Sequence, residues 1–199
     1  MEDRIVYITM TYDILDGPLP AGWQETKTIY LDAASCGTSE VKPPKQNGQF
    51  TIESKPWKPN VEGKIVYAMG HLHDGGVNID VKANSSSSLC NSPAQYSEIN
   101  DYVWRGAVMG QDKVAKDHIS SMPGCSPKDF KVSQMKKDQS WMVRGSYDYE
   151  KKEGNLEKGK QSDIMAIAIL LVAVPPGNGS VRVNTSTQCA NEQLGVRPS

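Results

Sequence analysis

Short strand-like stretches, most of them alternating between apolar and polar residues, recur along the chain. They lie at residues 4–14, 28–31, 50–52, 64–69, 77–82 and 140–147. A period of two places successive side chains on opposite faces of a strand, whereas a helix repeats its apolar positions every three to four residues. Turn signals rich in Gly and Pro separate the stretches. This pattern favours an all-β fold with few or no helices, either a sandwich or a jelly-roll-like barrel.

The longest apolar run, residues 164–174, does not alternate. It is too short to cross a bilayer, which needs about 20 residues, but it suits a central strand that is buried on both faces. A charged segment at residues 150–160 precedes it and predicts a hairpin loop. No longer apolar run occurs, so we expect no membrane span.

The chain length of 199 residues predicts a single β-sandwich domain over residues 1–199. Within it, residues 84–125 are rich in Ser, Asn and Gly and predict a long irregular loop with an apolar island at residues 102–109. Such a loop inside a compact domain usually has a function. Residues 175–199 form a polar tail that we expect to be tied down at Cys189.

Composition narrows the classes of partner. Hydrophobic residues make up 38% of the chain, which is enough for one core, and the formal net charge is −1. This near-neutral balance argues against binding to nucleic acid or acidic lipid. The common nucleotide-binding and serine-hydrolase motifs are absent. We expect a small organic substrate or ligand instead, and the oligomeric state stays open.

Cysteines and glycosylation sequons point to an oxidising compartment. The four cysteines, Cys36, Cys90, Cys125 and Cys189, form no CxxC pair, so their spacing suits disulfides better than zinc. Acceptor sequons for N-glycosylation begin at Asn84, Asn178 and Asn184. We therefore predict a secreted glycoprotein whose secretory leader has been removed.

The sequence Gly70-His-Leu-His-Asp-Gly-Gly76 contains the best candidate for a functional site. On a strand, His71 and His73 would present two imidazoles on one face, and such a pair can bind copper, zinc or iron. The glycines allow a tight turn, and Asp74 could orient a ring as a hydrogen-bond acceptor. A bare pair of this kind is more often merely exposed. Here, however, the pair ends an apolar strand.

Two ligands do not complete a metal site, so a third must come from elsewhere in the chain. Candidates are His118, a carboxylate such as Asp163 and a thioether such as Met165. Composition alone does not select Met165, because a methionine in an apolar strand usually belongs to the core. Residues 96–124 also supply candidates for the wall of a substrate pocket: Tyr102, Trp104, Met109, His118 and Met122.

The order of these motifs from about residue 5 to residue 174 resembles a known pattern. Besides the His-Leu-His segment, it includes Cys36, Cys90-Asn-Ser92, Ser121-Met-Pro-Gly-Cys125 and Ser162-Asp-Ile-Met165. The pattern resembles the C-terminal domain of copper type II, ascorbate-dependent monooxygenases of the peptidylglycine hydroxylating class. It is closer still to plant stress-induced nodulin-related proteins and their fungal relatives.

The resemblance implies a β-sandwich with jelly-roll-like topology and a copper site formed by His71, His73 and Met165. A thioether with two imidazoles suits copper. It also implies the disulfide Cys90–Cys125, and we add Cys36–Cys189. The monooxygenases hold a second copper on a preceding domain with its own histidines, and we expect no such domain here. The fold is therefore expected to carry over, and the hydroxylation reaction need not.

Three functions stay open on the sequence. The first is a secreted copper-binding protein or mononuclear copper oxidase. The second is a metal-independent fungal enzyme of secondary metabolism, which would catalyse a cyclisation or hetero-Diels–Alder-type cycloaddition in an aromatic-lined pocket. The third is a secreted binding module without catalytic activity. Enzymatic activity is favoured, and metal content would separate the first function from the others.

Overall fold

The computed structural model describes residue 7 and residues 9–34, 38–84, 87–96, 105–108, 111–114 and 118–177. All regular secondary structure in these residues is β-strand, and none of their segments is a helix that could cross a bilayer. The strands are β1 (Thr26–Asp32), β2 (Gln49–Glu53), β3 (Gly63–Leu72), β4 (Gly76–Ala83), β5 (Ser87–Pro93), β6 (Gln95–Tyr96), β7 (Arg105–Val108), β8 (Gln111–Val114), β9 (Ile119–Ser121), β10 (Gln134–Met135), β11 (Trp141–Asp148), β12 (Leu156–Glu157), β13 (Lys160–Gln161) and β14 (Ala166–Ala173).

Eight of these strands form two antiparallel sheets. The front sheet has the order β1-β14-β3-β10, and the back sheet has the order β2-β11-β4-β5. The first four strands alternate between the front and back sheets, and each sheet combines early and late strands. This eight-stranded, two-sheet connectivity is that of a jelly roll. The predicted all-β sandwich with jelly-roll-like topology is confirmed.

The inner faces of the two sheets share one apolar core. It includes Ile65 and Leu170 from the front sheet and Ile79 and Trp141 from the back sheet, each no more than 1% exposed. The sheets approach closely at Gly70, where an added Cβ would lie 2.9 Å from the Cβ of Ile79. Glycine at this position therefore lets the sheets pack tightly directly before the His-Leu-His segment.

The long apolar run has one buried face rather than two. Strand β14 is central, as predicted, between β1 and β3. Its residues Ala166, Ala168, Leu170 and Val172 are buried, whereas the alternate residues Ile167, Ile169 and Leu171 are half-buried. The prediction of burial on both faces is wrong, because no further layer of described residues fully covers the outer side of the front sheet.

The described parts of residues 84–125 are largely strands, although their composition predicts an irregular loop. They contain β5, which pairs with β4 in the back sheet, and the short strands β6 to β9. Strand β5 is rich in Ser and Asn, yet Leu89, Cys90 and Ser92 are buried. Backbone pairing and this burial override the low strand propensity of Ser and Asn.

The predicted disulfide Cys90–Cys125 is confirmed. The sulfur atoms lie 2.01 Å apart, and the bond joins β5 to a residue that pairs with Ala68 of β3. It therefore connects the back sheet to the segment beside the front sheet. The prediction Cys36–Cys189 and the tail beyond residue 177 lie outside the described residues. The predicted strand at residues 4–14 is not formed in its described part, where Met10, Tyr12 and Ile14 are exposed.

Candidate metal centre

His71 and His73 lie where β3 reaches the end of the front sheet. Leu72 between them points into the core and is 3% exposed, so the two imidazoles share the outer side of the strand. Their ring centroids are 5.6 Å apart and the rings are nearly perpendicular, at 86°. Two imidazoles at this separation on one face can approach a single cation.

A tight turn follows the histidines and leads from the front sheet to the back sheet. The Gly76 amide donates to the His73 carbonyl oxygen at 3.1 Å, and Gly75 has a positive φ of 84°. A Cβ at Gly75 would lie 2.3 Å from the ring of Tyr149. Both observations require glycine at this position, in agreement with the predicted glycine-assisted turn.

One hydrogen bond sets which nitrogen of His73 is free. The Nδ1 atom of His73 lies 2.9 Å from the carbonyl oxygen of Asp163. A carbonyl oxygen only accepts, so Nδ1 carries the proton and the lone pair of Nε2 is available to a metal. Asp163 therefore orients His73 through its main chain. Its carboxylate was one of the candidate ligands, but its exposed side chain is not used in this contact.

The chain that leads into β14 brings Met165 close to the histidine pair. Ile167 pairs with His71 and Ala166 pairs with Leu72, and Met165 is the residue directly before this ladder. Met165 is half-buried. In the described residues, no three His, Cys, Asp or Glu side chains are arranged to hold a metal. Met165 therefore stays a prediction as the third ligand.

The local environment favours the neutral form of His71. Partial burial, and to a lesser degree the neighbouring His73 ring, lower the pKa of His71 from its usual value. Neutral imidazole is the form that binds metals, so this shift keeps His71 competent as a ligand at neutral pH. The donor set of two imidazoles and one thioether fits copper better than magnesium or calcium.

Asp74 orients His118, not His71 or His73 as the sequence suggested. The carboxylate of Asp74, which is 8% exposed, accepts from the Ile119 amide at 2.8 Å and from His118 Nδ1 at 2.5 Å. These two bonds attach the start of β9 to the turn that carries the histidine pair. Nε2 of His118 takes no part in this contact, because Nδ1 faces the carboxylate.

His71, His73, Asp74 and His118 line one open cavity of about 400 Å³, and Met165 is not among its lining residues. Its size falls within the range of small-molecule sites. The described residues of its lining contain no Phe, Tyr or Trp, and they include apolar groups that suit an organic ligand. They are Met69, Gly70, His71, Leu72, His73, Asp74, His118, Ile119, Ser120, Ser121, Met122 and Asn155.

Several predicted residues lie outside the described part of the chain. They are the pocket candidates Tyr102, Trp104 and Met109, whose side chains are not described, and the sequons at Asn178 and Asn184. Asn84 is described and exposed. Tyr147 was not among the predicted site residues, yet its hydroxyl donates to the Met165 carbonyl oxygen at 2.6 Å. This contact joins the back sheet to the chain before β14, so predicting it requires knowing how the two sheets pack on each other.

Comparison with known proteins identifies distant homologues. The chain is 28% identical over 123 residues to the probable copper-dependent oxygenase clz3 of Cochliobolus lunatus, covering 62% of the chain and 35% of the relative. It is 33% identical over 129 residues to the probable copper-dependent oxygenase M1 of a Phoma species, covering 60% of the chain and 30% of the relative. The matches thus span about a third of each relative. No family model and no solved structure matches the chain.

Proposed function

We propose that this protein binds one copper ion through His71, His73 and Met165 and uses it to oxidise a small organic substrate. The observation that carries the proposal is the pair of imidazoles on one side of β3, with Nδ1 of His73 bonded to the Asp163 carbonyl so that Nε2 can face a metal. Met165, two residues after Asp163, is the ligand that we propose beside them. Distant homologues that bear the name of copper-dependent oxygenases support the choice of metal. Copper bound there would supply one-electron oxidation chemistry with dioxygen.

Other residues of the site would orient a ligand, bind the substrate and transfer a proton. His73 is held by the Asp163 carbonyl, so its ring is oriented before a metal binds. Met69, Ile119 and Met122 would hold the apolar part of the substrate in the cavity beside the ligands. His118, fixed by Asp74, would accept or donate a proton at Nε2 as the substrate is oxidised.

Copper binding tests the proposal directly. We expect calorimetry to detect Cu(I) and Cu(II) binding with micromolar or tighter affinity, and we expect His71→Ala to abolish it because a single imidazole and a thioether remain. His118→Ala is the matched control, since its ring is bonded to Asp74 and lies outside the proposed ligand set. Equal copper binding by wild type and His71→Ala would contradict the proposed copper site. It would favour a metal-independent enzyme with the same fold.

We also propose that the chain passes through the secretory pathway. The Cys90–Cys125 bridge is of a type that persists in oxidising compartments, and the sequon residue Asn84 is exposed. Protein secreted by a eukaryotic host should therefore lose mass on treatment with an N-glycosidase, and Asn84→Gln should reduce that loss. Reduced cysteines at positions 90 and 125, with no glycan, would contradict the proposal.

A further inference from the structure

Tyr147 joins the two segments that carry the proposed ligands. It lies on β11 of the back sheet, is 2% exposed, and reaches through the core to the end of the front sheet. Its hydroxyl donates to the Met165 carbonyl oxygen at 2.6 Å and accepts a hydrogen bond from the His73 backbone amide. One buried oxygen atom therefore bonds to the main chain of two proposed ligand residues.

The position of this hydroxyl is itself fixed. The Tyr147 ring stacks on Phe50 with centroids 5.2 Å apart and planes 3° from parallel, and it contacts the edge of Tyr149 at 6.1 Å. The Met165 carbonyl oxygen can only accept, so the hydroxyl carries the proton of that bond. Rigid aromatic packing thus holds a hydrogen-bonding group that faces both segments.

A second contact joins the same two segments, the end of β3 and the chain before β14. His73 Nδ1 is bonded to the carbonyl of Asp163, two residues before Met165. The imidazole contact orients the ring, whereas the Tyr147 contacts fix the main chain on both sides. Neither β3 nor β14 extends as far as these two residues, so the Tyr147 hydroxyl bonds to their main chains beyond the end of the ladder.

We propose that Tyr147 is a positioning residue for the copper centre, which it serves by bridging the backbones of His73 and Met165 through its hydroxyl. This inference rests on the proposed function, because it concerns the same ligands. Residues that orient metal ligands without touching the metal typically contribute 10- to 100-fold to metal affinity. Loss of the Tyr147 hydroxyl should therefore loosen the site while leaving all three ligands in the chain.

The test compares Tyr147→Phe with Tyr149→Phe. Tyr149 belongs to the same aromatic cluster, but its buried hydroxyl has no hydrogen-bond partner among the described groups, so its removal is a matched control. We expect Tyr147→Phe to weaken Cu(I) binding about 10-fold or more in a competition assay and to change the Cu(II) electron paramagnetic resonance spectrum. Tyr149→Phe should leave both unchanged.

A further pair of variants separates the hydroxyl from the fold. Incorporating p-aminophenylalanine at position 147 restores a donor at the same ring position and should recover affinity and spectrum. Incorporating p-fluorophenylalanine, which nearly matches tyrosine in size and cannot donate, should not. If Tyr147→Phe fails to fold, these two variants still compare a side chain with a donor and one without a donor at position 147. The inference is overturned if wild type binds copper and the variants without the donor, Tyr147→Phe and p-fluorophenylalanine at position 147, keep the same copper affinity and the same Cu(II) spectrum. Absence of copper binding by wild type overturns the proposed function instead.

Discussion

At the scale of single residues, the site depends on contacts that orient side chains before any ligand binds. The Asp163 carbonyl fixes His73, and the Asp74 carboxylate fixes His118. The turn that positions these groups depends on Gly75, which combines a positive φ with contact against the Tyr149 ring. A site of this kind loses little entropy when it binds a metal, because its rings are already oriented.

Substitution of Gly75 should therefore disturb both stability and the site. Gly75→Ala adds a Cβ 2.3 Å from the Tyr149 ring on a backbone with φ of 84°, and we expect it to lower the free energy of unfolding by about 3 kcal/mol. Gly159→Ala is the control, because Gly159 also has a positive φ, of 76°, but an added Cβ meets nothing within 4 Å. It should cost only about 1 kcal/mol.

Urea unfolding at 25 °C measures both values. Equal losses for the two alanine variants would mean that the Tyr149 ring moves aside at little cost. The His-Leu-His segment would then not require glycine at position 75 for steric reasons.

At the scale of elements, the two sides of β14 have different surroundings. Residues that face the back sheet are buried, whereas Ile167, Ile169 and Leu171 lie on the outer side with Tyr30 and Met69, which are 65% and 37% exposed. The apolar run gave no period by which to distinguish the faces, so burial of both was expected from the sequence. The outer side of the front sheet thus carries a row of apolar residues that reaches His71, which pairs with Ile167.

Paired substitutions on β14 test this difference. Leu170→Asp places a charge among fully buried side chains and should prevent folding or cost several kcal/mol, because nothing in the core pairs with it. Ile167→Asp places the same charge on the half-buried outer face and should cost about 1–2 kcal/mol, the value of the lost apolar contact. Soluble yield and thermal melting measure both, and loss of folding in both variants would mean that the outer face is covered.

The elements that the sequence predicted well are those whose pattern has a local cause. Alternation located β1, β3, β4 and β11, and the glycines after His73 located the turn. Strand β5 was missed because Ser and Asn rarely form strands unless a neighbouring strand pairs with them. The bond between Asp74 and His118 was also missed, since it joins residues that are 44 positions apart. Contacts of that kind depend on the register of the whole sandwich.

At the scale of the whole molecule, the jelly roll brings distant parts of the chain to one end of the front sheet. Strand β3 supplies His71, the chain before β14 supplies Asp163 and Met165, and the back sheet supplies Tyr147. The Cys90–Cys125 bridge holds the segment after β9 beside β3, and Asp74 holds His118 just before β9. His118 and Met122 thus line the same cavity as the histidine pair. The topology therefore forms the proposed site from four separate segments of the chain.

X-ray absorption spectroscopy of the Cu(I)-loaded protein tests the proposed ligand set most directly. We expect a copper ion with two imidazole nitrogen ligands and one sulfur ligand, because the proposed ligand set is the histidine pair and the Met165 thioether. Met165→Leu should remove the sulfur ligand, whereas Met142→Leu, on the outer side of the back sheet, should retain it. A copper shell without sulfur in wild type, or a sulfur ligand that persists in Met165→Leu, would contradict the account.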